Sequence, residues 1–420
     1  MRRCLTILIT IILAATVGSP PGWPLPVEHS RVVSADPVDW TPHVLNGIVR
    51  SIAVLDDSVV VAGQFTQVSD AASASQMTRY NIFAFQRNTG RIHTRFIPEV
   101  NGAILAVAPG PDGTVYIGGT FTRVNGRPQG GLARLRLADG SLVEGVGGVE
   151  GGEVRTLATD GQYLYVGGAF TRIAGVARTA LARLNAHTGQ VDPNLDLQIA
   201  SPSSGRLRVE TMDLSLNRGL LVIGGTFTQV AGQPRHHIAL INTSTERPSL
   251  TQWSTRAYAP ICHRDFDTYL RGVAFSPDGS FFVVTTTGRT SDPNLLCNTA
   301  ARWEASPTRA DARPTWVNHT GGDSLYGVEV TAAAVYVGGH QRWLDNPYGN
   351  GEAGPGAVSR PGIGAIHPIT GRALSWNPTR TRGVGVQSIV AVPEGLLVGS
   401  DTDQLGGEYH GRLGMFPINA

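Results

Sequence analysis

The chain has 420 residues, a formal net charge of +2, only 16% charged residues and 52 glycines. A near-neutral balance gives no support for binding to nucleic acid or to an anionic membrane. All 34 basic residues are arginine, which excludes Schiff-base chemistry, a phosphate-loop lysine and a lysine general base.

Met1 to Val17 reads as an export signal. Arg2 and Arg3 form its positive end, and Leu5 to Val17 is its apolar run. That run is shorter than the roughly 20 residues a membrane span needs. Residues 1–35 are therefore expected to be signal and short linker. Gly18, Ser19, Ser34 and Ala35 are the small residues near which cleavage would fall, and an uncleaved anchor is the alternative. Residues 36–420 are expected to form one domain, outside the cell or at its surface, with no membrane span after cleavage.

Beyond residue 36 one phrase recurs: an apolar stretch, a turn, a hydrophobic strand, then Gly-Gly-x-Phe-Thr. The clear copies are VVVAGQFTQV (59–68), VYIGGTFTRV (115–124), LYVGGAFTRI (164–173) and LVIGGTFTQV (221–230). FFVVTTTG (281–288), VYVGGHQRWL (335–344) and LLVGSDTDQL (396–405) are eroded copies. Each has an apolar strand upstream, in order IVRSIAV, AILAVAP, EVRTLAT, RVETMDL, LRGVAFS, LYGVEVT and VQSIVAV. Several carry a third strand and turn, as in LARLRLADG (132–140), and a fourth short segment with an aromatic or Pro, as in TWVNHT. Period-two alternation indicates strands. Four short strands repeated seven times predict an all-β fold, a seven-bladed β-propeller of four-stranded antiparallel blades. The Gly pair is read as letting adjacent blades approach. The seventh copy ends after a third strand. DPVDWTP (36–42) is similar to LSWNPTR (374–380), a fourth strand with nothing before it. An N-terminal strand is therefore expected to complete the last blade and close the ring, which removes exposed edges.

These Gly-Gly-x-Phe-Thr units resemble the short propeller repeats, of the delta-sixty type, found in secreted actinobacterial proteins. The resemblance covers residues 36–420. It is carried in the last third by YVGGHQRWLDNPYG (336–349), WNPTRTRGVGV (376–386) and VGSDTDQLGGEYHGR (398–412). It implies the fold and says little about function.

With Cys4 lost in the signal, Cys262 and Cys297 remain, and in an oxidising compartment they are expected to pair as a disulfide. No nucleophile elbow, zinc helix, phosphate loop or zinc-type Cys/His spacing is present, so no catalytic residue is assigned. The most distinctive polar cluster lies where the last two copies lose their Phe-Thr: His340, Arg342, Trp343, Asp345, Tyr348, Asp401, Asp403, Glu408 and His410. These are the ligand-binding candidates, against the alternative of an Arg–carboxylate network locking the last blades. The Gly- and Pro-rich stretch from His340 to Pro361 is expected to cover one rim. There Trp343, Asp345 and Tyr348 should border the principal recess. DTDQLG (401–406) shares Asp and Gly with a calcium loop, but Arg412 stands where the bidentate Glu belongs. No cofactor is expected, with calcium the weaker alternative. The leading expectation is a monomeric, non-catalytic exported propeller that binds a protein or glycan. A glycan- or polymer-active hydrolase or lyase with carboxylates at the channel mouth, and a structural spacer of an envelope assembly, are the alternatives.

Overall fold

The computed structural model describes residues 27–73, 75–201 and 205–418. The expected export signal and Cys4 lie outside them. Among the described residues there are strands and turns but no helix, and no helix long and apolar enough to cross a membrane.

Each copy of the repeat folds into one antiparallel sheet. Its upstream apolar segment becomes the inner strand, and the strand ahead of the Gly pair becomes the second. The inner strands of sheets 1 to 7 are Ile48–Leu55, Ile104–Gly110, Val154–Thr159, Val209–Ser215, Leu270–Phe275, Leu325–Val330 and Ser388–Val392. The second strands are buried along almost their whole length, as in Thr114–Gly119 and Leu220–Gly225. A strand covered on both faces reads as a continuous apolar run, because a neighbouring sheet lies on each side. Val60 and Ala62 accordingly pack with Ile104 and Val107 of sheet 2, whereas Val59 and Val61 pack with Val392 and Leu397 of sheet 7.

The inner strands contact one another in chain order, and Ser388–Val392 contacts both Leu325–Val330 and Ile48–Leu55. The succession of neighbours thus returns to its start, although among the described residues no single sheet closes on itself. Among the described residues only sheets 4 and 5 carry a fourth hydrogen-bonded strand, Ser249–Leu250 and Trp316–His319. Elsewhere the expected fourth strand is reduced to single bridges such as Leu135↔Leu142 and Leu184↔Val191. Pro98, Pro193 and Pro378 in these segments supply no N–H to a ladder.

The Gly pair has two separate tasks. A Cβ on Gly118 would meet Val154 of the next sheet at 2.4 Å, and one on Gly399 would meet Val49 at the same distance. The first glycine therefore admits the neighbouring sheet. The second faces its own sheet: a Cβ on Gly119 would lie 2.1 Å from the carbonyl oxygen of Ala103. Copy 5, which lost the pair, holds its neighbour differently. Thr285 Oγ1 donates to the carbonyl of Tyr326 at 2.9 Å.

Tryptophans of the fourth segment tie sheet to sheet through their ring N–H. Trp253 donates to Glu304 O (3.2 Å), Trp316 to Pro368 O (2.8 Å) and Trp376 to Ser34 O (2.9 Å). In the last case the acceptor belongs to the N-terminal segment. That segment also runs along the final strand, Leu413–Pro417, with Ser34 N bonding Pro417 O at 2.8 Å and Val38 N bonding Met415 O at 2.9 Å. Residues 27–35, expected as linker, pack against sheets 6 and 7. His29 and Val33 are buried, His29 Nε2 lies 2.8 Å from Val392 O, and Val33 N donates to the Tyr336 hydroxyl. Cys262 and Cys297 form a disulfide with Cα atoms 5.9 Å apart.

Candidate functional site

Because all seven inner strands run in the same sense, their two ends define the two ends of a central channel. At the C-terminal end lies a recess of about 350 Å³, lined by residues of every inner strand and of the turns that follow, among them Pro109, Leu216, Pro277 and Pro393. Val27 of the N-terminal segment also lines it. Its wall is mostly Ala, Val and Leu, with Arg87 and three carboxylates, Asp160, Asp213 and Glu329.

Asp213 and Glu329 share one repeat position, whereas Asp160 lies in the turn after its strand. Asp213 pairs in register with Val222, and Glu329 with Tyr336. The equivalent residues in the other sheets are Ala53, Ala108, Ala158, Ala274 and Val390. Asp213 and Glu329 each reach the next sheet. Asp213 Oδ2 accepts from Phe275 N at 2.7 Å, and Glu329 accepts from the amide of Ala391. Burial pushes the Asp213 carboxyl up to about 6. Burial, with the facing charge of Asp213, pushes Glu329 up to about 8, since a low-polarity wall disfavours the charged form.

At the other end six of the seven inner strands start with a bulge. In six sheets the register slips by one residue, between Val49 and Ser51, Ile104 and Ala106, Val154 and Thr156, Val209 and Thr211, Leu270 and Gly272, and Leu325 and Gly327. The extra residues are Arg50, Leu105, Arg155, Glu210, Arg271 and Tyr326, and Gln387 holds the equivalent place just before the seventh inner strand. A bulge redirects a side chain out of the sheet's alternation, and at this place six of the seven sheets carry a polar residue, the exception being Leu105. Arg50 feels the charges of Arg155, Tyr326 and Asp401, and Arg271 those of Glu210 and Tyr326. These groups belong to different sheets, so they converge on one mouth. It lies about 10 Å, three residues of strand, from the carboxylate tier.

The mouth has two unlike halves. Across sheets 3 to 5 runs an ion-pair chain: Arg206 to Glu153 (2.7 Å), Arg155 to Glu153 (3.1 Å) and Glu210 (3.0 Å), Arg208 to Glu210 (2.6 Å) and Asp267 (2.6 Å). Across sheets 5, 6, 7 and 1 stand Arg271, Tyr326, Gln387 and Arg50. Arg50 donates to Gln387 Oε1 at 3.0 Å, and Arg271 donates to the carbonyls of Thr268 and Leu270. Among the described residues no carboxylate lies within ion-pair distance of Arg50 or Arg271, and burial lowers the pKa of both.

Residues 110–142 and 159–194 match the family described as "Domain of unknown function (DUF5122) beta-propeller". Among solved structures the chain is similar to the WD40 repeats of RRP9, at 11% identity and a TM-score of 0.56, over 91% of this chain and 99% of that one. It also aligns with the computationally designed Ika8 protein at 11% identity and a TM-score of 0.46, over 92% of this chain and 100% of that one. No curated protein matches it. The fold is a β-propeller.

In this propeller the binding candidates read from sequence fall into separate groups. Arg342 is held by Asp323 through Nε and NH2 (2.9 and 3.2 Å) and lies 4.4 Å over the Trp343 ring. Arg382 reaches the same Asp323 at 3.3 Å and donates to His340 O at 2.9 Å, while His340 Nδ1 sits 2.6 Å from Gly383 O. Asp345 accepts from Asn318 Nδ2 (2.6 Å) and Ala373 N (3.1 Å). Asp401 accepts from the amides of Val384 (2.5 Å) and Gly385 (2.9 Å) and faces buried Arg380 at 3.4 Å. Glu408 pairs with buried His410 at 3.0 Å, Asp403 is exposed, and Tyr348 is 72% exposed. None of these residues lines the recess. Asp401 alone acts on a residue of the bulge tier, Arg50. The His340–Pro361 loop is pinned from within by Asn346, whose side chain bonds Thr320 O, Glu352 O and Gly354 N. Among the described residues no group of three or more His, Cys, Asp or Glu could hold a metal ion. The bulge and carboxylate tiers were missed by the sequence reading, although aligning the seven upstream strands puts each tier in a single column.

Proposed function

We propose that this chain is an exported, non-catalytic seven-bladed propeller of the secreted actinobacterial type, closed by its N-terminal segment and binding its ligand at the bulge-lined mouth of the channel. The observation that carries this reading is the bulge tier. One repeat position, which a core would fill with apolar residues, holds Arg, Glu, Tyr and Gln from six sheets around one axis. A concave site with convergent polar groups is where a ligand gains most from a rigid scaffold. The opposite end has the N-terminal segment against it, which leaves the bulge end as the way in. The ligand is a glycan or a protein segment outside the cell, and the disulfide accords with that compartment. The test is a glycan-array and pull-down screen with the mature protein, repeated with Tyr326→Ala and Arg155→Ala. Ligands captured equally well by both variants would place binding elsewhere, with the rim group around Trp343 and Tyr348 next in line.

One observation favours a hydrolase or lyase instead. Glu329 holds its proton up to about pH 8, as a general acid must. Turnover of any glycan from the array, lost in Glu329→Gln, would decide for the enzyme.

A further inference from the structure

We infer that the mouth selects an acidic ligand, binding the carboxylate of a uronic-acid sugar in the arc formed by Arg271, Tyr326, Gln387 and Arg50. This rests on the mouth being the binding face. The four residues come from consecutive sheets 5, 6, 7 and 1, and each can donate a hydrogen bond. Tyr326 acts on both arginines, so it stands between them.

The charges around the mouth do not cancel evenly. Glu153, Glu210 and Asp267 are held by Arg155, Arg206 and Arg208. Asp401, the carboxylate that acts on Arg50, is occupied by Arg380 and two backbone amides. Arg50 and Arg271 are thus left as cations without an anion of their own, in surroundings whose burial disfavours their charge. An uncompensated, partly desolvated charge costs stability. Arg50 bonds Gln387, and Arg271 bonds two backbone carbonyls and lies over the Phe266 ring, but neither has a carboxylate within ion-pair distance, which leaves both open to an anion.

A second observation points the same way. Arg50 Nε and Gln387 Nε2 are shielded from solvent and have no hydrogen-bond partner. Buried donors are nearly always satisfied, and an unsatisfied one calls for a missing acceptor. Both belong to the same arc. A guanidinium fork matches a planar carboxylate through two parallel hydrogen bonds. The Tyr326 ring adds a flat surface on which a sugar can lie. The arc is set at the start of the inner strands, inside the channel mouth.

The experiment is titration calorimetry on the mature protein with short oligogalacturonides. The comparison probes are the neutral galactose oligomers of equal length, inorganic phosphate and triglycine, whose C-terminal carboxylate represents a peptide end. Oligogalacturonide should bind, and Arg50→Gln and Arg271→Gln should each weaken it about tenfold or more, with a smaller loss in Tyr326→Phe. Arg136→Gln, at an exposed position, should change nothing. The melting temperatures of Arg50→Gln and Arg271→Gln should equal or exceed that of the parent, because each removes an uncompensated charge. A lower melting temperature for both would show a structural role and overturn the inference. So would failure of oligogalacturonide to bind, equal binding by the variants, or tighter binding of phosphate or triglycine. Binding of the neutral oligomers, lost in Tyr326→Ala, would overturn the acidic selectivity while leaving the mouth as the binding face.

Discussion

Single side chains in this protein act according to which column of the repeat they occupy. Glu329 stands where five other sheets have Ala or Val, and it keeps its proton up to about pH 8 because burial, and Asp213 facing it, oppose its charge. In the unfolded chain the same carboxyl ionises near its ordinary value of 4.5. Between those values the folded state holds a proton that the unfolded state has released. The contribution is therefore complete below about pH 4.5 and lost as pH rises to about 8. Asp213, pushed up to about 6, adds to the same slope at its acid end. Glu329→Gln should flatten the fall in melting temperature between pH 5 and pH 8 and raise stability most at the alkaline end. A parallel pair of melting curves across that range would mean that Glu329 is solvated and that the tier has no electrostatic strain. At the rim, Trp343→Ala with Tyr348→Ala should leave the melting temperature within a degree or two, since Tyr348 is 72% exposed. A fall of many degrees would assign that pair to packing.

At the level of strands and loops, much of the molecule was legible in the sequence, and the exception has a physical cause. The seven upstream strands and the strand before each Gly pair were readable because both faces of a second strand are buried, leaving an apolar run bounded by glycine. The Gly pair was read as admitting the neighbouring sheet; its first member does so, as the Cβ clash of Gly118 with Val154 shows, whereas its second faces its own sheet, at Ala103 O. The fourth strands were over-read, because a matching aromatic or Pro does not supply the N–H that a ladder needs. The bulge tier was not read at all. A bulge breaks the period of two, so Arg50 in IVRSIAV or Arg155 in EVRTLAT looks like a solvent-facing residue of a regular strand. The charges that depart from the repeat consensus are instead those of the eroded copies, around His340 to Asp345 and Asp401 to His410. There Arg342, Asp345 and Asp401 each proved to have a local partner. Two predictions belong to this scale. Gly399→Val should cost several kcal/mol, on the order of an overpacked core position or more, because its side chain would enter Val49. Replacing Cys262 and Cys297 together by Ser removes a loop closure of 35 residues and should lower stability by about 4 kcal/mol on chain-entropy grounds. Equal thermal or chemical denaturation midpoints for parent and variant would refute either expectation.

The whole molecule depends on how its two ends meet. Sheets 7 and 1 come from opposite ends of the chain, and their inner strands touch. Gly399 lies against Val49, and Val49 N bonds Ser400 O at 2.9 Å. Around this junction the N-terminal segment supplies a second layer. Val38 N bonds Met415 O, Val44 N bonds Gly411 O at 2.7 Å, and Thr41 Oγ1 meets His410 Nδ1 at 3.4 Å. Val44 is fully buried, and Val38 and Trp40 pack on the cluster shared by sheets 1 and 7. Burying three such side chains is worth roughly 5 kcal/mol at the usual 1.5–3 each. Deleting residues 36–45 would remove that burial and leave the strand Leu413–Pro417 as an open edge. The deletion should therefore lower the melting temperature of the entire protein in one cooperative transition, not merely loosen one sheet, because each sheet is stable only against both neighbours. It should also promote association through the bared strand, visible as a larger species in size-exclusion chromatography. A synthetic peptide covering residues 34–45, added in trans, should restore part of the loss, since it carries the Val38 amide and the Trp40 and Val44 side chains. An unchanged melting temperature after the deletion would mean that packing between the inner strands of sheets 7 and 1 holds the ends together unaided. The N-terminal segment would then be a covering of the last sheet and not its closing strand.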